Sequence, residues 1–264
     1  MSSAKYTHGH AESVLRSHRT RTVRNSAAYL MPHLRPGAEL LDIGSGPGTI
    51  TADLARRVAP ARLTAVEVSD AALEVTRAGV QEGNVSFVVA DVHELHFADD
   101  SFDIVHAHQV LQHVADPVRA LREMIRVCRP GGVVAVRDAD YSGFVWYPQI
   151  PALDRWLDVY RAAARANQGE PDAGRRLLAW AREAGAAKVT ASSSTWCHAD
   201  PEAREGWGGM WADRIANSAI TEQVLGSGLA TPDDITEIAA GWREWVAAPD
   251  GWISILHGEV LIHV

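Results

Sequence analysis

The stretch Leu40-Leu41-Asp42-Ile43-Gly44-Ser45-Gly46-Pro47-Gly48-Thr49 constrains the fold more tightly than any other part of this chain. A short apolar run ends in alternating glycines, and a helical pattern follows from Thr49 to Val58. Glycines between a strand and a helix let the backbone pass close to a ligand that a Cβ would strike. In an open α/β sheet such a loop lies at the carboxyl ends of the strands, where ligands bind. The spacing narrows the ligand. A dinucleotide fingerprint reads G-x-G-x-x-G. Counted from Gly44, its last small residue would fall at Thr49, whereas the glycine stands at Gly48.

Strand and helix signals alternate on either side of the loop, the pattern of a parallel sheet. Glu39 to Ile43, Arg62 to Val68, Val85 to Ala90, Phe102 to Ala107 and Val133 to Val136 read as successive strands. Asp116 as N-cap and Pro117 at the first helical position open the clearest helix. Val118, Leu121, Ile125 and Cys128 repeat along it at helical spacing, and Pro130-Gly131-Gly132 closes it. Further on, Leu153 to Ala166, Gly174 to Ala184 and Glu202 to Gln223 read as helices, and Thr231-Pro232 opens another. Lys188 to Trp196 reads as a strand, and Trp252 to Val264 as a terminal strand or hairpin.

Acidic groups mark the strand ends. Glu67 closes the second strand about 20 residues beyond the loop, where a carboxylate accepts ribose hydroxyls; a nicotinamide enzyme would use the same acid. Asp91, closing the third strand, is placed to accept from an adenine amino group, with Val68 and Val92 beside the two acids. The expected cofactor cradle is thus Asp42, Gly44, Ser45, Gly46, Gly48, Thr49, Glu67, Val68, Asp91 and Val92, joined by His108 and Gln109 after the fourth strand.

The G-x-G-x-G loop with Asp42 ahead of it resembles the first motif of class I methyltransferases. Residues from about 35 to 140 resemble the ubiquinone/menaquinone-biosynthesis group of small-molecule methyltransferases. The matching stretches are Leu41 to Gly48, Glu67, Ala90-Asp91, Phe97 to Val105, Leu111-Gln112-His113 and Arg129 to Gly132. The resemblance implies an α/β, Rossmann-like, doubly wound and mostly parallel sheet of seven strands. It also implies S-adenosyl-L-methionine as cofactor and a substrate pocket roofed by the variable parts of the chain. The expected organisation is a single domain: a helical lid over residues 1–35, a cofactor-binding core over 36–140, and the remaining strands with a helical cap over 141–264.

Methyl transfer asks a protein to align nucleophile, carbon and leaving sulfur, to exclude water and sometimes to remove a proton. His108, His113 and Asp138 are the candidates for that work, because they follow the fourth and fifth strands. His106, inside the fourth strand, reads as structural. Tyr6, His8, Arg19, Tyr141, Trp207 and Trp211 are the candidates for contacting the substrate. The opening Tyr6-Thr7-His8-Gly9-His10 reads equally as a frayed end or as a lid, with Arg19 or Arg21 meeting the methionine carboxylate. A metal on His8 and His10 lacks a third ligand, and no metal is expected. The tryptophans crowd the second half, where they read first as anchors of a small cap.

A formal charge of −8 argues against a general nucleic-acid binder. Arg16, Arg19, Arg21, Arg24 and Arg35 nevertheless cluster near the start. No run of eighteen apolar residues is present, so a membrane partner is not expected, and the two distant cysteines fit a reducing cytoplasm. The expected partner is a small-molecule methyl acceptor, and the expected state is a monomer or homodimer. A nicotinamide-dependent oxidoreductase and a non-catalytic cofactor-binding protein are the competing readings.

Overall fold

The structure, a computed structural model, describes residues 21–264. Tyr6, His8 and Arg19, and with them most of the expected lid, lie outside the described residues.

Among the described residues, eight strands form one sheet: β1 (Leu40–Ile43), β2 (Leu63–Glu67), β3 (Val85–Val89), β4 (Phe102–His108), β5 (Cys128–Ala139), β6 (Val145–Tyr147), β7 (Lys188–His198) and β8 (Trp252–His263). The order is β3-β2-β1-β4-β5-β8, with β7 on the far side of β8 and the three-residue β6 pairing with the start of β8. Strands β1 to β5 run parallel, while β8 is antiparallel to β5, β6 and β7. Seven strands were expected, and β6 is the addition. It forms because β8 is one unbroken strand rather than a hairpin, long enough to pair with both β5 and β6.

Two apolar layers cover the sheet. On the first face, α1 (Val23–Ser26), the 3-10 turn Ala28–His33 and α2 (Thr49–Val58) bury Val23, Leu30, Leu54 and Val58 against Leu40, Ile104, Val133 and Leu261. On the second face, α4 (Pro117–Val127) and α6 (Leu177–Glu183) pack onto Leu41, Val105, Val134 and Val260; α3 (Asp70–Gly79) lies along β2 and β3 on the first face, with Arg77 over the Phe87 ring. Asp116 caps α4 by accepting from the Arg119 amide, and Pro117 follows it, as expected.

Pro130-Gly131-Gly132 does not precede β5 but lies within it. The helix ends at Val127, Cys128 pairs with Phe102, and the register then shifts before resuming at Ile104 and Val133. The Pro-Gly-Gly segment is thus a bulge in the parallel pairing. The helix expected over 202–223 is also interrupted. After α7 (Pro201–Arg204), the glycine-rich Glu205–Gly209 winds as a π-helix into α8 (Met210–Asn217). Ser218 then breaks the rod with a capping box that starts α9 (Ala219–Gly226).

The cap is built from α5 (Pro151–Ala166), α8, α9 and α10 (Pro232–Ala247) around an aromatic core. Trp156 meets Trp211 edge-on at 4.7 Å and Trp242 at 4.8 Å, and all three are fully buried. This core continues onto Ala139, Ile253 and Ile255, so the cap sits over the carboxyl end of β5.

Gly258 shows how closely the layers approach. A Cβ there would lie 2.0 Å from the Gly174 carbonyl oxygen, and backbone on both sides leaves nothing to yield. We expect Gly258→Ala to lower unfolding stability by about 2 kcal/mol or more in urea titrations. Gly226, whose added Cβ meets nothing within 4 Å, serves as its counterpart. Gly226→Ala at the end of α9 should raise stability by about 0.5 kcal/mol.

Candidate active site

The glycine loop folds as a tight crest held by its neighbours. Gly44, Gly46 and Gly48 all have positive φ, 68°, 54° and 82°, where a side chain is strained. Val110, from the segment after β4, would collide with a Cβ on Gly44, and a Cβ on Gly79 of α3 would lie 1.9 Å from the Pro47 carbonyl oxygen. Ser45 is buried and shares a hydrogen bond with Thr76, whose hydroxyl also donates to the Gly46 carbonyl. At the crest itself a Cβ on Gly46 would meet nothing within 4 Å, so the loop presents bare backbone to open space. Thr49 then starts α2.

Beside the crest, the Gly46 amide donates to Oε1 of Glu67 at 2.6 Å, which fixes that carboxylate against the loop. Val68, next in the chain, is 68% exposed, an apolar surface adjoining the acid. Asp91 lies at the end of β3 with its side chain largely exposed, above the buried Val92. Partial burial pushes its carboxyl up, but hydrogen bonds from the backbone and ring of His93 outweigh that and hold it below the usual range. The sheet therefore brings Gly44 to Gly48, Glu67, Val68 and Asp91 to one edge.

Asp42 is placed differently from the other acids. It is buried inside the sheet, accepting from Thr51 Oγ1 at 2.6 Å and from His106 Nδ1 at 2.7 Å. Its position supports the loop from beneath, and His106 is the structural partner that its place inside a strand suggested.

The candidates for chemistry divide between the two faces. His108 pairs in register with Arg137, so both side chains leave the first face, while Asp138 leaves the second. His108 is 6% exposed and neither ring nitrogen has a hydrogen-bond partner among the described residues. Burial, reinforced by Arg137 and Arg21, holds its pKa well below the ordinary histidine value, so the ring is neutral. Gln109 follows with a φ of 55°; its amide donates to the Arg137 carbonyl and its side chain meets His257 Nε2 at 2.9 Å.

Asp138 is fully buried. Its Oδ1 accepts from the Gln112 amide at 3.1 Å, and the Gln112 side chain returns a bond from the Ala139 amide and reaches His113 Nε2 at 2.9 Å. Gln112 thereby ties Asp138 to His113. Burial lowers the His113 pKa to about 3, with Arg214 of the cap and Arg21 acting in the same direction.

Tyr141, Trp207 and Trp211 all belong to the cap core. Tyr141 stacks on Tyr160 at 4.2 Å, Trp211 is fully buried, and Trp207 stacks on His198 at 5.3 Å. Packing accounts for most of their surface.

Sequence reasoning passed over the groups that surround His108. Arg137, Glu259 and Ser192 form one row across β5, β8 and β7, with His257 and Trp196 nearby. A readable signal existed: Arg137 directly follows the apolar run Val133 to Val136, and a charge in a central strand needs a partner. A solvent-open groove between Glu39, Arg62, Asn84 and Ser86 lies at the opposite, amino ends of the strands and holds none of these groups.

A family model described as a methyltransferase domain matches residues 41–136. An uncharacterized methyltransferase of Schizosaccharomyces pombe is 31% identical over 97% of this chain and 95% of its own length. The chain belongs to the methyltransferase family. The ubiquinone/menaquinone biosynthesis C-methyltransferase UbiE of Idiomarina loihiensis is 40% identical over 39% of this chain and 43% of its own. A phosphoethanolamine N-methyltransferase of Haemonchus contortus, solved with S-adenosylhomocysteine, shares the fold with a TM-score of 0.55 at 18% identity, over 89% of this chain and 52% of its own. The protein is a class I S-adenosylmethionine-dependent methyltransferase, and the nicotinamide reading is not favoured. Among the described residues, no helix is long and apolar enough to cross a membrane.

Asp138 supplies a test of the site's electrostatics. Burial raises its pKa to about 7, against hydrogen bonds from the Gln112 and Leu111 amides. The folded protein thus binds this proton more tightly than the unfolded chain does. Between about pH 4 and 7 the unfolded carboxyl is ionised while the folded one is still protonated, so stability falls as pH rises. We expect Asp138→Asn to remove this loss, gaining on the parent by up to about 1.4 kcal/mol per pH unit across that window. Denaturant titrations at several pH values check it; parallel profiles would show an ordinary carboxyl.

Proposed function

We propose that the enzyme methylates a small organic acceptor held at the carboxyl ends of β4 and β5, beneath the helical cap. The observation that carries this reading is the shared edge. An open glycine crest with two strand-end carboxylates lies along β1 to β3, and a polar face lies beside it on β4 and β5. The name of the relative UbiE, a C-methyltransferase of quinone biosynthesis, supports a small-molecule acceptor.

The residues present fit the cofactor. Gly44 to Gly48 give backbone approach, Glu67 lies where ribose hydroxyls donate, and Asp91 lies where an adenine amino group donates. Val68 and Val92 offer the apolar edge of the base site, with Ser45 and Asp42 holding the loop in shape and Thr49 opening α2 behind it. When bound, S-adenosylmethionine would supply an electrophilic methyl group on its sulfonium, with the neutral thioether of S-adenosylhomocysteine as the leaving group. Neutral His108 carries one bare ring nitrogen, able to take the proton that an acceptor hydroxyl or amine gives up. Asp138 and Gln112 set the loop after β4 from the other face, and His113 sits between that loop and Arg214 of the cap.

Incubation with methyl-labelled cofactor and a metabolite extract should transfer label to a small molecule. Glu67→Gln should weaken S-adenosylhomocysteine at least about tenfold by calorimetry, because two charge-assisted hydrogen bonds become neutral ones. Failure of the parent protein to bind either form of the cofactor would overturn the reading.

A further inference from the structure

The first face of the sheet holds more buried donors than the fold satisfies. Arg137 is fully buried on β5. Its Nε donates to Ser194 Oγ at 3.1 Å and to Glu259 Oε1 at 3.3 Å, but Nη1 and Nη2 have no hydrogen-bond partner among the described residues. Glu259 is committed elsewhere as well, accepting from the Ser192 and Ser194 hydroxyls. The Tyr29 hydroxyl, above the same strands, and both ring nitrogens of His108 are likewise buried and unpaired. The His257 ring is no donor toward this space. Its Nδ1 faces the Ile255 carbonyl and must donate there, so Nε2 accepts from Gln109.

Leaving one such donor unpaired costs the desolvation it never regains, and more for a charged one. A fold retains several in one place when a ligand completes them. The charge state of the cluster defines that ligand. Burial pulls the Arg137 guanidinium down only to about 10, so it remains a cation at neutral pH. Burial raises the Tyr29 hydroxyl well above its ordinary value, so it remains a donor. The terminal nitrogens of Arg137, the Tyr29 O–H and one His108 N–H therefore face only neutral acceptors, the second His108 nitrogen and the Tyr29 oxygen itself. A cation with so many donors and so little to accept from them matches an anionic oxygen pair.

The shape of the cluster adds to this. With Nε committed to Glu259 and Ser194, the end of the guanidinium is the free side, and Nη1 and Nη2 together form a fork for two coplanar oxygens. The guanidinium lies 4.9 Å from the Trp196 ring, and that ring is 4.4 Å from His257 and 5.7 Å from His108. These flat walls suit a planar body attached to the anionic group. Trp196 also donates through Nε1 to the Asn25 carbonyl at 2.6 Å, which joins β7 to the segment that covers the cluster.

We infer that Arg137, Tyr29 and His108 form the acceptor-recognition site, and that the acceptor is a flat organic acid whose carboxylate docks end-on against Nη1 and Nη2 of Arg137. This rests on the methyl-transfer reading above and names its substrate class.

Matched acid and amide probes test it in protein saturated with S-adenosylhomocysteine: benzoate against benzamide, and cinnamate against cinnamamide, each followed by calorimetry. Each acid should bind at least about tenfold more tightly than its amide. Arg137→Gln should abolish the preference while leaving affinity for S-adenosylhomocysteine within about twofold. Tyr29→Phe, which removes one oxygen from a ring that stays in place, should reduce acid binding about threefold and carries the test should Arg137→Gln fail to fold. Equal affinity for acid and amide, no binding of either up to about 10 mM, or acid binding unchanged in Tyr29→Phe overturns the inference. Loss of S-adenosylhomocysteine binding by the parent protein would instead overturn the methyl-transfer reading itself.

Discussion

A cation buried in the middle of a sheet needs a counter-charge within reach, and Arg137 obtains one only because β8 runs antiparallel beside β5. That strand sets Glu259 opposite Arg137 in register. Strand β7, pairing along the other side of β8, adds Ser192 and Ser194 to the same carboxylate. Without that insertion the guanidinium would face hydrocarbon, at a cost far above what one strand's packing returns. The row His108, Arg137, Glu259, Ser192 spans four strands and commits the far half of the sheet to one arrangement. The near half has a different constraint. There the glycine crest, pressed between Val110 and α3, fixes where Glu67 can stand.

These two constraints meet at the carboxyl edge of β4. His108 ends that strand, and the Gln109 that follows adopts positive φ to keep its amide on the Arg137 carbonyl. Val110 then closes on Gly44. One short segment thus joins the cofactor edge to the polar face. Gln112, two residues on, performs the corresponding task on the opposite face by bridging Asp138 and His113. The electrostatics of the two faces differ accordingly. Burial, reinforced by the Arg137 and Arg21 cations, keeps His108 neutral, whereas Asp138 holds its proton because burial outweighs its two backbone donors.

The architecture of the first half was legible because its signals are local. Strand, glycine turn and capped helix follow one another within a few residues, and α2 and β4 begin where propensity and capping place them. The cap was less legible. A continuous helix over 202–223 gave way to π and α segments, since glycines at 206, 208 and 209 and a serine cap at 218 offset the apolar periodicity. Asp42 looked like one more strand-end acid. Only the register of β1 against β4 shows that it is bonded to His106 within the sheet.

By itself the sequence determined the order of elements, the G-x-G-x-G crest and the carboxylates at the strand ends, because each depends on residues close together in the chain. Tertiary structure decided which candidates share a face. Adjacent residues on a strand point to opposite sides, so His108 and Asp138, both good candidates by position, are separated by the thickness of the sheet. Conversely, His108, Arg137, Trp196 and His257 come from four distant strands, and no local pattern could gather them. Pairing across strands carries no short-range signal; it is set by where each strand finds its hydrogen-bonding partner and buries its apolar side.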